Sequence, residues 1–335
     1  SGTGFSIQED SILKAVLITG ANGFIGSVLC SRLVAEKWNV SGTVRSAENY
    51  SSVQGVKSVI IGDIDTATDW NAALQGIDTV VHLAARVHVM KDSSAEPLQA
   101  YREVNVYGTE RLALQAADAG VNRFIFLSTV KVNGEENRKA YTESDRPSPM
   151  DSYGISKMEA ELKLRKIAAE TGMAVVILRP PLVYGPGVKA NFLKLLQTVD
   201  RRMPLPFAGV QNQRSLIYVD NLVDAIVSCV LHPNAPGQTF LVSDGKDVST
   251  PELIRMIAAA LQKQPRLFRF PPLALYIAGR LTGKGPAVDR LIGSLSVNTG
   301  KIKNELGWTA PFTLEEGLQN TAFWYKRIKK SNYRL

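Results

Sequence analysis

Short apolar runs alternate with helix-length segments from residue 14 to about 182. The runs Ala15–Thr19, Asn39–Thr43, Ser58–Ile61, Thr79–Leu83, Arg123–Ser128 and Ala174–Leu178 read as strands, each separated from the next by one helical stretch. Strands that are apolar on both sides, joined by helices, predict a parallel sheet covered on both faces, an α/β doubly wound architecture. After Arg179-Pro180-Pro181 the pattern breaks into Pro/Gly-rich connections such as Tyr184 to Gly187 and Met203 to Pro206, where a smaller, mixed substrate region is expected to begin. Arg214 to Phe240 reads as a helix and a strand that return to the sheet. Two discontinuous domains are therefore expected, 14–182 plus 214–242 for the sheet and 183–213 plus 243–330 for the substrate side. The apolar segment Phe270 to Gly279 is too short to span a bilayer and reads as a buried or interface helix.

The first strand runs into Gly20-Ala21-Asn22-Gly23-Phe24-Ile25-Gly26 and then a helix, the order that a dinucleotide needs. Glycines at 20, 23 and 26 permit a tight turn, close approach of backbone to a pyrophosphate and close helix packing. The helix N-terminus offers amide donors and positive dipole potential to the same anion.

Composition narrows the rest. The formal charge of +8 suits an anionic partner, but the basic residues are scattered and show no aromatic-basic interleaving, so no nucleic acid is expected. The densest cluster, Tyr325 to Lys330, reads as a solvated tail. Cys30 and Cys229 are far apart inside apolar segments, which argues for core residues rather than a disulfide framework or a metal site. With no cleavable apolar leader and no apolar run near 18–20 residues, a cytoplasmic protein without stable membrane insertion is expected.

Tyr153 and Lys157, four residues apart, share one helix face and can act on the same proton. They belong to an ordered series: the GxxGxxG turn, Gly62-Asp63-Ile64, His82-Leu83-Ala84-Ala85, Asn105 to Thr109, Leu127-Ser128-Thr129, Leu178-Arg179-Pro180 and Arg214 to Asp220. Over nearly its whole length the chain thus resembles the extended short-chain dehydrogenases/reductases. Within them it resembles the NAD-dependent epimerase/dehydratase family, in the branch of UDP-hexose 4-epimerases and UDP-4-keto-sugar reductases of polysaccharide biosynthesis. The resemblance implies a Rossmann-type sheet carrying a smaller substrate domain.

It also implies roles. Gly20, Asn22, Gly23, Phe24, Ile25 and Gly26 would meet the pyrophosphate, Asp63 and Ile64 the adenine, and the backbone of Leu83, Ala84 and Ala85 the passing cofactor. Asn105 would steady the active-site helix and its proton path, and Pro180 would complete the cofactor contacts. His82 is assigned no catalytic role.

Redox exchange at a sugar alcohol needs a group that removes and returns the hydroxyl proton. Tyr153 is expected to do so as a phenolate, favoured over its usual value of about 10 by the Lys157 ammonium and a positive nicotinamide. The resemblance adds that Lys157 holds the nicotinamide ribose. Thr129 is expected to donate a hydrogen bond to the substrate oxygen, with Ser128 as the alternative donor on the opposite side of the strand end.

The second strand ends in Thr43-Val44-Arg45-Ser46, with no carboxylate for ribose hydroxyls, and a guanidinium at 45 suits a 2′-phosphate. NADP(H) is therefore favoured and NAD(H) remains open. Arg214, Asn191, Phe192 and Arg290 are expected on the nucleotide and phosphates of a UDP-sugar. Val130-Lys131 replaces the Asp-Glu that dehydratases of this type carry after the threonine. A ketoreductase of the dihydroflavonol or hydroxysteroid type, or a non-enzymatic NAD(P)-binding scaffold, shares the fold, but the arginine and the intact Tyr/Lys pair argue against each. By analogy a homodimer would pair helices around 100–118 and 153–170.

Overall fold

The computed structural model describes residues 14–49, 53–87, 96–281 and 285–332. Residues 50–52, 88–95 and 282–284, inside the two expected domains, lie outside the described residues. In chain order the first part comprises β1 (Ala15–Thr19), α1 (Phe24–Ala35), β2 (Asn39–Val44), β3 (Lys57–Ile60), α2 (Asn71–Leu74) and β4 (Thr79–His82). Next come α3 (Pro97–Arg102), a π-helical segment Glu103–Gly108, α4 (Thr109–Asp118), β5 (Arg123–Leu127), α5 (Ser152–Thr171) and β6 (Ala174–Arg179). The remainder is β7 (Leu182–Tyr184), α6 (Ala190–Asp200), β8 (Leu216–Tyr218), α7 (Val219–Leu231), β9 (Thr239–Leu241) and α8 (Thr250–Ala260). It closes with α9 (Pro272–Leu281), α10 (Gly285–Ile292), α11 (Gly300–Leu306) and α12 (Leu314–Asn332).

Seven strands form one parallel sheet in the order β3-β2-β1-β4-β5-β6-β9, so the chain reverses direction of growth between β1 and β4. In open α/β sheets that reversal opens a crevice at the carboxyl ends of the strands. Alternation along β1 builds both faces. Val16 and Ile18 pack with Leu29 and Leu33 of α1 and Leu222 and Ile226 of α7. Ala15 and Leu17 pack with Leu112 and Ala116 of α4 and Leu164 and Ile167 of α5. All five residues of β1 are buried, which is why the run carries no polar alternation.

The returning segment predicted at 214–240 is α7 followed by β9, and β9 pairs with β6 at the sheet edge. Two strands of three residues each, β7 and β8, escaped the sequence pattern and pair with each other in a separate parallel ribbon. A third apolar cluster beside that ribbon joins Tyr184, Phe192 and Leu196 to Leu253, Ile257, Leu318 and Ala322. Cys30 and Cys229 are buried and unpaired, and burial pushes both thiols up to about 12. The segment expected as a buried or interface helix is α9, in which Leu275 is buried while Tyr276 and Ile277 face outward.

Candidate active site

The glycine turn is dictated by contacts that no side chain survives. Gly20 has φ +69°, and a Cβ there would stand 3.1 Å from the Ala84 nitrogen. A Cβ on Gly26 would stand 2.1 Å from the Gly20 carbonyl oxygen. Gly23 donates its amide to that same oxygen at 2.9 Å and then serves as N-cap of α1 without a side chain covering the helix end. The first-turn amides of α1 are left for an anion. Gly20, Arg45, Asp63, Ile64, Ala84 and Ala85 line one cleft of about 640 Å³ at the β1/β4 reversal. These residues fit a dinucleotide: a side-chain-free turn, an uncapped helix N-terminus and a cleft of nucleotide size.

Several expected residues act differently. The amides of Leu83 and Ala84 each donate to Thr19 Oγ1 at 3.1 Å, so a threonine overlooked in the sequence shapes the loop after β4. His82 is buried between two threonines, its Nδ1 2.7 Å from Thr19 Oγ1 and its Nε2 2.9 Å from Thr109 Oγ1. Burial and the nearby Lys157 charge hold this imidazole down to about 3, so it stays neutral. Asn105 does not line the cleft. Its Oδ1 accepts from the Arg86 amide at 2.8 Å, and its Nδ2 donates to the Arg86 carbonyl and to Ser156 Oγ, both at 3.0 Å. It ties the loop after β4 to α5, in keeping with a residue that steadies the active-site helix. Arg45 and Asp63 face each other at 3.4 Å, but both are mostly exposed and the pair adds little stability. Pro180 is buried, and its carbonyl accepts the Val130 amide at 3.0 Å.

The helix α5 presents the candidate catalytic pair. Asp151 caps it, with Oδ1 accepting from the Gly154 amide at 2.7 Å, and Gly172 ends it in a left-handed conformation at φ 78°. Lys157 is buried; its Nζ donates to the Leu127 carbonyl at 2.8 Å and stands 4.3 Å from the centre of the Phe126 ring. Burial lowers the Lys157 ammonium to about 7, against the opposing pull of Glu161. Burial also pushes the Tyr153 phenol well above its ordinary range, reinforced by Asp151 and by Tyr101, whose ring centre lies 6.3 Å away. In each group the shift runs toward the neutral form, with burial as its largest cause.

Thr129 Oγ1 accepts from the Lys131 amide at 3.3 Å, which leaves the hydroxyl hydrogen to donate elsewhere. Ser128, the alternative donor, turns away: its Oγ donates to Glu161 Oε1 at 2.6 Å. That carboxylate also receives Arg179 Nε at 2.9 Å and Nη2 at 2.5 Å, while Arg179 Nη1 reaches Asn133 Oδ1 at 3.0 Å. Glu161 was missed, although it follows Lys157 by four residues as Lys157 follows Tyr153, the spacing of one helix face. Lys131 is held by Glu135 at 2.9 Å and by Asp151.

On the substrate side, Arg214 donates from Nη1 to the Gly293 carbonyl at 2.9 Å, and its backbone pairs with Val248. Burial, followed by repulsion from Arg290, lowers the Arg214 guanidinium. Phe192 is not available to a substrate; it is buried, with its ring 5.3 Å from that of Tyr184 in the third apolar cluster. Asn191 is exposed on the first turn of α6. The buried Asn212, also missed, donates to the Leu291 and Gly293 carbonyls at 3.2 and 2.9 Å and so fixes the end of α10 beside Arg214.

A family model described as the NAD dependent epimerase/dehydratase family matches residues 16–243. The chain belongs to that family. It is 47% identical over 313 residues to a UDP-glucose 4-epimerase of Vibrio cholerae, covering 92% of this chain and 94% of the relative. It is 28% identical over 320 residues to an N-acetyl-α-D-glucosaminyl-diphospho-ditrans,octacis-undecaprenol 4-epimerase of Escherichia coli O157:H7, covering 91% and 93%. Among solved structures, MoeE5 in complex with UDP-glucose and NAD superposes with a TM-score of 0.76 at 27% identity, covering 94% of this chain and 99% of that one. As a member of the epimerase/dehydratase family the chain is a nicotinamide-dependent enzyme of the extended short-chain dehydrogenase/reductase type.

Proposed function

We propose that this enzyme oxidises and reduces C4 of a UDP-sugar, either inverting that centre as a 4-epimerase or reducing a UDP-4-keto-hexosamine. The observation that carries the reading is the Tyr153/Lys157 pair on one face of α5, with Lys157 Nζ on the carbonyl of Leu127 two residues before Thr129, in a chain 47% identical to a UDP-glucose 4-epimerase. When bound, the nicotinamide accepts a hydride from the sugar carbon and gives one back. Gly20, Gly23, Gly26, Asp63, Ile64, Ala84 and Ala85 would hold the dinucleotide, with Lys157 at its reactive end. Tyr153 takes the proton from the C4 hydroxyl and later returns it. Its phenol starts well above neutrality, so it ionises only when positive charge joins Lys157 in the site. Thr129 donates its hydroxyl hydrogen to the same oxygen, and Arg214 and Arg290 hold the diphosphate.

Val130 is buried and Lys131 is committed to Glu135 and Asp151, so no carboxylate follows Thr129 to drive a dehydration. The absence of a carboxylate at the end of β2 and the presence of Arg45 favour NADP(H), with NAD(H) as the alternative borne by solved relatives. A homodimer through α4 and α5 is supported by Leu114 and Leu162, exposed on those helices. Segments 183–213 and 243–330 would then form the substrate side.

A second reading, a lipid-linked sugar diphosphate as substrate, is favoured by the apolar face that α9 exposes, packed on the helix that carries Arg290, and by the similarity to the undecaprenol-linked 4-epimerase. The test is proton NMR of UDP-glucose and UDP-N-acetylglucosamine incubated with the purified protein without added cofactor. Appearance of the C4 epimer establishes an epimerase. Consumption of NAD(P)H with a UDP-4-keto-hexosamine establishes the reductase, and turnover of neither removes the UDP-sugar reading. Tyr153→Phe should abolish turnover while dinucleotide binding persists; a near-normal rate in that variant would sink the mechanism.

A further inference from the structure

We propose that the face formed by α9 and the preceding 266–270 segment docks on an anionic phospholipid surface. Between Glu252 and Asp289 the sequence contains no acidic residue, whereas Lys263, Arg266, Arg269 and Arg280 stand exposed in that interval. Large apolar side chains share the face: Phe268, Phe270, Tyr276, Ile277 and Leu281 are all exposed, Leu281 at 83%. Met203 joins them, because residues 205–208 pair with 266–268 through Leu205 and Phe268 amides and carbonyls.

The helix explains the arrangement. Leu275 and Gly279 point to the protein, and a Cβ on Gly279 would stand 2.8 Å from Val288, so α9 and α10 touch closely. Ile277 and Leu281 lie four apart on the outer side, and Arg280 sits over the Tyr276 ring at 4.6 Å. An outward apolar ridge flanked by cations is the pattern of a helix that lies in a lipid headgroup region. No helix among the described residues is long and apolar enough to cross a membrane, so the contact is peripheral.

A second copy of the chain is the poorer occupant. A two-fold contact would set Arg266, Arg269 and Arg280 against their own mates with no carboxylate in the interval to answer them. The face is joined to the candidate active site through α10, which packs closely on α9 and whose end gives its Leu291 and Gly293 carbonyls to Asn212, and Gly293 to Arg214. Docking would thus hold the diphosphate end of the site near the lipid surface.

The experiment is co-sedimentation of the full chain, without substrate, with phosphatidylcholine vesicles and with vesicles containing phosphatidylglycerol. Pelleting with the anionic vesicles, weakened by added salt and weak with neutral ones, is expected. Arg266→Gln/Arg269→Gln should lower the partition coefficient roughly 30-fold, from about 1 kcal/mol per basic residue near such a surface. Ile277→Asp/Leu281→Asp should abolish pelleting while UDP-sugar turnover in solution, measured separately, is unchanged. Equal pelleting with both vesicle types, none with either, or unaltered pelleting of the two double variants overturns the proposal. So does concentration-dependent self-association that Ile277→Asp/Leu281→Asp removes in a protein that binds no vesicles.

Discussion

Glu161→Gln should be among the most damaging single changes outside the reacting groups. Glu161 and Arg179 have side-chain exposures of 3% and 4%, and the carboxylate receives three hydrogen bonds, two from Arg179 and one from Ser128. The glutamine keeps the volume but loses the charge and turns one acceptor into a donor facing the guanidinium. Removing one partner of a buried ion pair costs about 3–5 kcal/mol, because the other charge is left unanswered in a medium that cannot solvate it. A folded protein has about 5–15 kcal/mol in all, so the variant should unfold at a much lower urea midpoint with an unchanged slope. Glu161→Met together with Arg179→Leu should lose less than the single variant, since no charge is then stranded, although Ser128 and Asn133 each lose a partner. Turnover should fall as well, because the network anchors the strand end before Thr129 and the helix face of Lys157. A loss below about 1 kcal/mol for Glu161→Gln, or a double variant less stable than Glu161→Gln alone, would refute this reasoning.

Gly26→Ala should abolish dinucleotide binding, read as loss of NAD-induced thermal stabilisation, and cost about 1–3 kcal/mol through the clash with Gly20. Arg45→Asp should weaken NADPH about 10- to 100-fold, the worth of a charge-assisted hydrogen bond, and spare NADH; an unchanged NADPH affinity would remove Arg45 from cofactor choice. His82, held to about 3 when folded and near 6.5 when unfolded, binds more protons in the unfolded chain. Its contribution to stability is therefore complete above pH 6.5 and is lost as pH falls towards 3, with a slope of up to about 1.4 kcal/mol per pH unit. Urea titrations across that range should show the loss, and His82→Gln should flatten it.

The parallel sheet was legible because β1, β5 and β6 are nearly unbroken apolar runs, and such runs are what two covered faces demand. The glycine turn was legible because Gly23 and Gly26 are set by backbone contacts with Gly20 and Ala21, within seven residues. What failed to show was set by distant partners. Whether Ser128 or Thr129 could donate to a substrate was decided by Glu161, 33 residues away from Ser128. Phe192 read as a nucleotide contact until Tyr184 took its ring. Asn105 read as steadying the active-site helix, but the partners through which it does so, Arg86 and Ser156, are not announced by its own segment. The strands β7 and β8 are three residues long, too short for a period of two to stand out.

One face of α5 carries Tyr153, Lys157 and Glu161 at successive intervals of four, and this spacing joins chemistry to stability. Burial that drives Lys157 down to about 7 and Tyr153 up lowers the local dielectric around the pair, which strengthens a charge that enters beside it. The same burial would penalise Glu161 if Arg179 did not answer it. The catalytic pair therefore works only in a helix whose next turn is locked by a satisfied ion pair, and loosening that turn should cost activity before it costs the fold.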